Sequence, residues 1–232
     1  MKKQVRSIIA LLVCILPLYS GVIWFRLTQD QSITITGKLV YPLLIGSGFS
    51  LIILLLNKYL LKSTFKKTFT PAKEPVSSDI IMGIILTIIF FILLAIERAT
   101  VYRLFPQQDP VSVELAELLE RIAYNPWLLT LWFGPVLWIG IAFFEEITRI
   151  FMMRCLWNLG NNKTWQVTVV ILVALLSGVL HMHQGITSII TLTIQGLLMG
   201  FYFYKFRRIL PLIISHGLYI GLQILAMVMR YR

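Results

Sequence analysis

The stretch VLWIGIAFFEEITRIFMMRCLW, residues 136–157, decides what kind of protein this chain forms. It places two adjacent glutamates, Glu145 and Glu146, and Arg149 inside an otherwise apolar run. On the solvent-exposed face of a soluble helix such charges are ordinary. Near a bilayer centre, each raises the free energy of insertion by at least ~2.5–3.5 kcal/mol. The significance of these residues therefore depends on whether the segment lies in a membrane.

The composition of the whole chain answers that question. Of the 232 residues, 58% are hydrophobic and 13% are charged, whereas a soluble domain is closer to half apolar and a quarter charged. Long apolar runs occur at 7–25, 39–61, 79–96, 126–144, 165–182, 186–204 and 209–229. Several reach the ~20 residues that span a bilayer, and none alternates as the strands of a membrane barrel do. The sequence predicts an all-α, polytopic transmembrane bundle of about seven helices, or eight if 126–157 is broken at Pro135.

We expect one integral membrane domain over residues 1–232. Its first part, 1–124, holds the N-terminal spans and ends in VSVELAELLERIAY, predicted as an amphipathic helix on the outer interface. The second part, 125–228, carries the charged motifs. The N-terminal stretch resembles a signal peptide, but its long apolar run and the lack of a clear cleavage site favour an uncleaved first span.

The positive charge of the chain follows a pattern along the sequence. Lysine and arginine exceed aspartate and glutamate by 21 − 10 = 11, and the excess lies before the first span, after the second and after the sixth. The intervening loops are nearly neutral (27–37) or acidic (97–125, beginning with Glu97). This alternation predicts a multi-pass protein of the cell membrane with a cytoplasmic N-terminus, whose basic loops suit anionic lipids. Because the charge is divided among short loops, we expect no nucleic-acid partner.

Few ionisable groups remain at membrane depth, and all of them fall in the second half of the chain. They are Glu145, Glu146, Arg149, His181, His183 and His216. Intramembrane charges normally face the bundle interior and pair with one another. We therefore expect a shared polar cavity, with the side chains of Glu145, His181 and His216 within about 10 Å of each other.

The glutamate pair has a spacing that suits acid–base chemistry. Arg149 is four residues after Glu145 and three after Glu146, so either carboxylate can meet it. Successive residues on a helix diverge by about 100°, so the other carboxylate faces a different partner. A carboxylate that activates water, with imidazoles that share the proton or polarise a carbonyl, is a hydrolase arrangement.

Zinc is an alternative for the same groups. Glu145, His181, His183 and His216 are suitable zinc ligands by type. However, residues two apart on a continuous helix point to nearly opposite faces, and the HExxH signature of zinc proteases is missing. We therefore expect no cofactor and keep zinc as the alternative.

Three motifs together resemble a known family. EEITR, SGVLHMHQG and PLIISHGLY, in that order on separate predicted spans, resemble the CAAX-protease and bacteriocin-processing (Abi) family of intramembrane glutamic endopeptidases. The family pattern is E-E-x-x-x-R, F-x-x-x-H and H-x-x-x-N/D, and the likeness covers about 125–228. It implies metal-independent hydrolysis of a peptide bond in a membrane-associated substrate, prenylated in some members. Other members are linked to bacteriocin maturation or self-immunity.

The resemblance also implies roles for individual residues. Glu145 would activate the water with help from His181, while Glu146 and Arg149 would be its partner acid and ion pair. His216 would help to hold the oxyanion. Tyr219 and His183 are auxiliary candidates at the same site.

The chain departs from the family pattern at three positions. Arg149 is one residue closer to the glutamates than usual, Ser177 replaces the phenylalanine before His181, and Ile220 replaces the Asn or Asp that follows His216. The last change removes a donor to the oxyanion, which Tyr219 could replace. It also keeps open a non-catalytic role in immunity or partner binding. A proton-coupled transporter is a third alternative, but the chain has no matching half-repeats.

Overall fold

The protein is described here by a computed structural model covering residues 2–20, 35–105, 113–182 and 185–230, without the side chains at 35–39, 102 and 113–118. Within these ranges every regular element is helical, which confirms the predicted all-α fold. The helices are α1 (Lys3–Ser20), α2 (Ile35–Leu55, continued by the π-helical turn Leu56–Leu60), α3 (Phe65–Phe69), α4 (Val76–Ala99), α5 (Val101–Leu104), α6 (Val113–Tyr124), α7 (Pro126–Trp157), α8 (Lys163–Val179), α9 (Ile186–Phe206) and α10 (Leu210–Val228).

Six of the described helices are long and apolar enough to cross a membrane, which confirms a polytopic bundle. They are α1, the part Val40–Leu60 of α2, α4, α7, α9 and α10. The predicted span 165–182 is a shorter helix, α8, of 17 residues. At about 1.5 Å per residue it is about 25 Å long, less than the ~30 Å of hydrocarbon.

α7 is one interrupted helix of 32 residues. Its backbone leaves helical geometry at Gly134 (φ −91°, ψ −110°), immediately before Pro135, and residues Trp132–Phe143 form a π-helix. A proline disfavours the α conformation of the residue before it, which explains the position of the kink. The break considered at Pro135 from the sequence is therefore present, and it divides 126–157 into a short first helix and a longer one that runs to Trp157.

Two glycines let α2 and α7 approach closely. A Cβ atom added at Gly46 would lie 2.8 Å from the Cα atom of Gly140, and one added at Gly140 would lie 2.9 Å from the Cα atom of Leu43. Small residues permit such backbone contact between membrane helices. This contact positions the middle of α7, from which the glutamates follow.

The three basic clusters predicted from the sequence lie at one end of the bundle, which we call the basic end. There α1 and α4 begin, α7 and α9 end, and the α2–α4 connection passes. The contacts are Asn158 Nδ2 donating to Ser7 Oγ (2.9 Å), Arg154 Nη2 donating to the Lys67 carbonyl (3.3 Å), and the ion pair of Arg208 with Asp79. The cytoplasmic location of this end stays a prediction.

The predicted amphipathic helix is α6. Its described apolar side chains Leu119 and Ile122 are 1% exposed and form a small cluster with Val228 of α10. α6 therefore packs against the end of the bundle remote from the basic end.

Glu97 requires a correction, because the sequence placed it in a loop. It lies in the last turn of α4 and is 3% exposed. The helix continues past the apolar run 79–96 to Ala99, so its last turn carries this carboxylate into the interior. Asp79 and Arg208, paired at the basic end, are likewise buried.

Candidate active site in the membrane

The centre of the site is a buried cluster that joins α7 to α10. Glu146 Oε1 accepts a hydrogen bond from Arg149 Nη1 at 2.6 Å, one helical turn away. The same oxygen lies 2.8 Å from His216 Nδ1, and because an ionised carboxylate only accepts, the imidazole donates. Glu146 is 0% exposed. One oxygen of the carboxylate, Oε1, therefore holds both the guanidinium and the imidazole, while Oε2 is buried without a hydrogen-bond partner in the described structure.

Arg149 has a second partner on another helix. Its Nη1 atom also lies 2.9 Å from the thioether sulfur of Met199 on α9. The guanidinium is thus fixed between α7 and α9, and its role is to compensate the charge of Glu146 where water cannot.

Glu145 faces a different direction from Glu146, as the 100° step between adjacent residues requires. Its side chain is 34% exposed, and its Oε2 atom lies 3.7 Å from His216 Nε2. One imidazole therefore lies between the two carboxylates, hydrogen-bonded to Glu146 and close to Glu145. Of the two acids, Glu145 is the one that a water or a substrate can reach.

Glu145 opens onto a cavity of about 110 Å³, enough for a few water molecules. The cavity lies between α1, α7 and the end of α8. Its polar lining residues are Tyr19, Glu145, Thr148, Arg149, Ser177 and His181. The structure thus brings Glu145 and His181 to one polar cavity inside the bundle.

His181 reaches this cavity because α8 is short. The turn after α8 begins at Leu180, before the helix has crossed the full hydrocarbon thickness, and irregular backbone at that depth is tolerated where it lines a protein cavity. His181 Nδ1 lies 2.9 Å from the Ser177 carbonyl. Since a carbonyl only accepts, the proton is on Nδ1, which makes Nε2 the acceptor nitrogen of the neutral ring.

Among the described residues, the auxiliary candidate Tyr219 lies away from the cavity. His183 falls outside the described residues. Tyr219 is 7% exposed and packs its ring against Phe90 and Phe91, with centroids 5.6 and 5.2 Å away. Ile220, at the position of the family's Asn or Asp, packs against the apolar core. His216 contacts the glutamates but is not among the residues that line the cavity.

The zinc alternative can be compared with the same geometry. Among the described residues, no three His, Cys, Asp or Glu side chains are arranged to hold a metal ion. His181 and His216 each direct Nδ1 at a protein oxygen, so a metal would have to share them through Nε2.

Sequence reasoning missed Tyr19 and Met199. Tyr19 lies on α1, more than a hundred residues before the glutamates, and no local pattern marks it. Met199 lies on an apolar helix where methionine is ordinary. Only the packing of α1 and α9 against α7 brings them to the cluster.

These features define a class: a multi-pass helical membrane protein with a glutamate–arginine–histidine cluster beside an internal polar cavity. Residues 126–221 match the model of the family described as Rce1-like, type II CAAX prenyl endopeptidase. The match confirms the resemblance drawn from the motifs, over a segment that is less than half of the chain. It supports a protease type of enzyme scaffold.

No curated protein and no solved structure matches the chain.

Proposed function

We propose that the protein is a metal-independent intramembrane endopeptidase in which Glu145 activates water to hydrolyse a peptide bond of a membrane-associated substrate. The observation that carries this proposal is the difference between the surroundings of the two acids. Glu146 is buried and paired with Arg149 and His216, while Glu145 lines the cavity together with His181. A base that faces a water-sized cavity beside a second acceptor is what hydrolysis requires.

The reaction follows from these positions. A water held between Glu145 and the Nε2 atom of His181 gives its proton to Glu145 while its oxygen attacks the scissile carbonyl carbon. The carbonyl electron pair moves to oxygen, and the resulting oxyanion needs hydrogen-bond donors. The family resemblance assigns a donor role to His216, whose Nε2 atom lies 3.7 Å from Glu145 Oε2. When the C–N bond breaks, the proton on Glu145 passes to the leaving amine.

The positions of Glu146 and Arg149 imply supporting roles. Glu146 orients His216 through the 2.8 Å hydrogen bond, and Arg149 balances the buried carboxylate. Neither residue lies where it must exchange a proton with water. They are positioning residues for the proposed reaction.

The substrate proposal rests on the location of the site. The cavity lies within a bundle of six apolar helices, so a peptide reaches it from the membrane or its surface. The name of the matching family, which refers to prenyl endopeptidases, suggests a substrate with a lipid-modified C-terminus. We propose a membrane-anchored peptide, with prenylation as the first modification to test.

The test uses the full chain, purified and reconstituted in liposomes, with fluorogenic membrane-anchored peptides in prenylated and acylated forms. We expect cleavage by the wild type, retained in the presence of EDTA or 1,10-phenanthroline. Glu145→Gln keeps the size of the side chain but cannot take a proton, and we expect at least a 10³-fold lower rate. Cleavage by Glu145→Gln at the wild-type rate would refute the proposal, and loss of cleavage on chelation would favour zinc.

A non-catalytic role on the same scaffold is a second candidate. The packing of Ile220 against the apolar core favours it, since an amide or carboxylate donor is missing there. This candidate predicts that Glu145→Gln retains the biological effect of the protein in cells, although no peptide is cleaved. The two proposals therefore predict different effects of the Glu145→Gln variant in cells.

A further inference from the structure

We infer that Tyr19 of α1 is a catalytic residue that donates its phenol hydrogen to the oxyanion, a role for which Ile220 has no suitable group. The inference rests on the proposed peptidase function. It concerns a helix that lies outside the segment 126–221 matched by the family.

The depth of Tyr19 follows from the way α1 packs on α7. Asn158, just after α7, donates to Ser7 Oγ at 2.9 Å, near the start of α1. The two helices are antiparallel, so both extend from that contact toward the middle of the bundle. From Ser7 to Tyr19 the rise is about 18 Å, and from Asn158 back to Glu145 it is about 20 Å. The two side chains therefore lie at nearly the same depth in the bundle.

The buried face of α1 keeps the helix at this depth in the bundle. Ser7, Ala10, Cys14 and Leu18 are between 0% and 4% exposed and recur at intervals of three or four residues, as expected of a packed helical face. Tyr19 follows at the edge of that face. It is only partly buried, and it lines the cavity with Glu145 and His181.

The other potential donors near the cavity are engaged or buried. Ser177 Oγ donates to the Val173 carbonyl at 2.9 Å, and Arg149 Nη1 is held by Glu146 and the Met199 sulfur. The hydroxyl oxygen of Thr148 and the Nε atom of Arg149 have no hydrogen-bond partner in the described structure, but both atoms are buried, so a substrate in the cavity does not reach them.

The Nδ1 proton of His181 goes to the Ser177 carbonyl. Tyr19 is therefore the cavity-lining residue whose hydroxyl is best placed to meet a substrate.

The charges around the phenol suit donation. Tyr19 interacts electrostatically with Arg149, Glu145 and Glu146. A phenol hydroxyl can donate to an oxyanion while remaining neutral. As Glu145 takes the proton of the attacking water, negative charge passes from its carboxylate to the carbonyl oxygen, where a fixed donor at the cavity wall stabilises it.

Tyr219, the replacement suggested by the sequence, has a different setting. Its ring is packed between Phe90 and Phe91 of α4, and it does not line the cavity. The inference therefore predicts different effects for the same change, removal of the hydroxyl oxygen, at Tyr19 and at Tyr219.

The proposed step is balanced as follows. The water oxygen forms a bond to the carbonyl carbon, and its proton goes to Glu145. The carbonyl π pair becomes the oxyanion lone pair, which accepts a hydrogen bond from Tyr19 without proton transfer. On collapse this pair re-forms the carbonyl, the C–N bond breaks, and the amine takes the proton from Glu145.

The test compares Tyr19→Phe, Tyr219→Phe and Tyr204→Phe in liposomes, with wild type and Glu145→Gln alongside. Each tyrosine change removes one oxygen atom. Tyr204 is the matched control, because its ring packs with Trp157 and the Arg207 guanidinium away from the cavity. Loss of an oxyanion donor typically costs 10²–10³ in kcat, so we expect Tyr19→Phe to lower kcat about 10²-fold with KM within about twofold. The other two variants should stay within about threefold of wild type.

The outcomes separate this inference from the proposed function. If Glu145→Gln is inactive but Tyr19→Phe cleaves normally, or Tyr219→Phe shows the loss instead, the role of Tyr19 is refuted and the peptidase stands. If Glu145→Gln is fully active, the peptidase proposal fails and the oxyanion role fails with it.

A binding measurement gives a second readout that does not depend on turnover. The probe is a membrane-anchored peptide with a hydroxyl-bearing tetrahedral carbon in place of the scissile carbonyl, compared with the parent amide. We expect Tyr19→Phe to weaken binding of the tetrahedral peptide about 10-fold and leave the parent unchanged. Equal weakening of both peptides would show a structural role and overturn the inference.

Discussion

The ion pair of Glu146 and Arg149 supports a quantitative prediction about stability. Arg149→Met keeps most of the alkyl length but removes the cation, which leaves a carboxylate that is 0% exposed with only His216 as donor. Removing one partner of a buried pair typically costs about 3–5 kcal/mol. Because His216 still donates, we expect a value near the lower end, about 3 kcal/mol.

Removing both charges should cost less than removing one. In the double variant Glu146→Gln/Arg149→Met neither a buried cation nor a buried anion remains, and the amide can still accept from His216. We expect the double variant to lose about 1–2 kcal/mol, less than either single variant. The coupling energy from the double-mutant cycle should therefore be at least about 2 kcal/mol.

The assay is SDS-induced unfolding of the purified chain in mixed detergent micelles, followed by tryptophan fluorescence. Arg154→Met is the matched control, because Arg154 lies on the same helix and donates to a backbone carbonyl at 3.3 Å rather than to a buried carboxylate. It should cost less than about 1 kcal/mol. Additive single losses, with a coupling energy below about 0.5 kcal/mol, would show that the pair does not compensate its own burial.

Two further predictions concern the packing and the basic end. Gly46→Ala should destabilise the protein by about 1–3 kcal/mol, because the new methyl group meets the Gly140 backbone, whereas Gly48→Ala has nothing within 4 Å and should be neutral; the midpoint of thermal unfolding in detergent measures both. Asp79→Ala should cost about 3 kcal/mol by leaving Arg208 buried without its anion, and a shift of SDS unfolding below 1 kcal/mol would contradict that role.

Part of the candidate site was predictable because its chemistry is local in sequence. The spacing of Glu145, Glu146 and Arg149 on one helix requires that one acid pairs with the arginine while the other diverges. The apolar setting indicated that the charges lie inside the bundle. The spacing alone did not decide which acid pairs, because that depends on the placement of His216 and Met199 by two other helices; only the family resemblance implied Glu146.

The sequence by itself determined a helical, multi-pass membrane protein, its charged motifs and its family resemblance. The reason is that hydrocarbon admits only helices of sufficient apolar length and tolerates few charges, so composition and spacing are informative there. Tertiary structure decided that α8 stops short, that Glu97 is interior and that Tyr19 lies beside Glu145. Those features depend on helix register and crossing contacts between residues far apart in the chain, which no local pattern encodes.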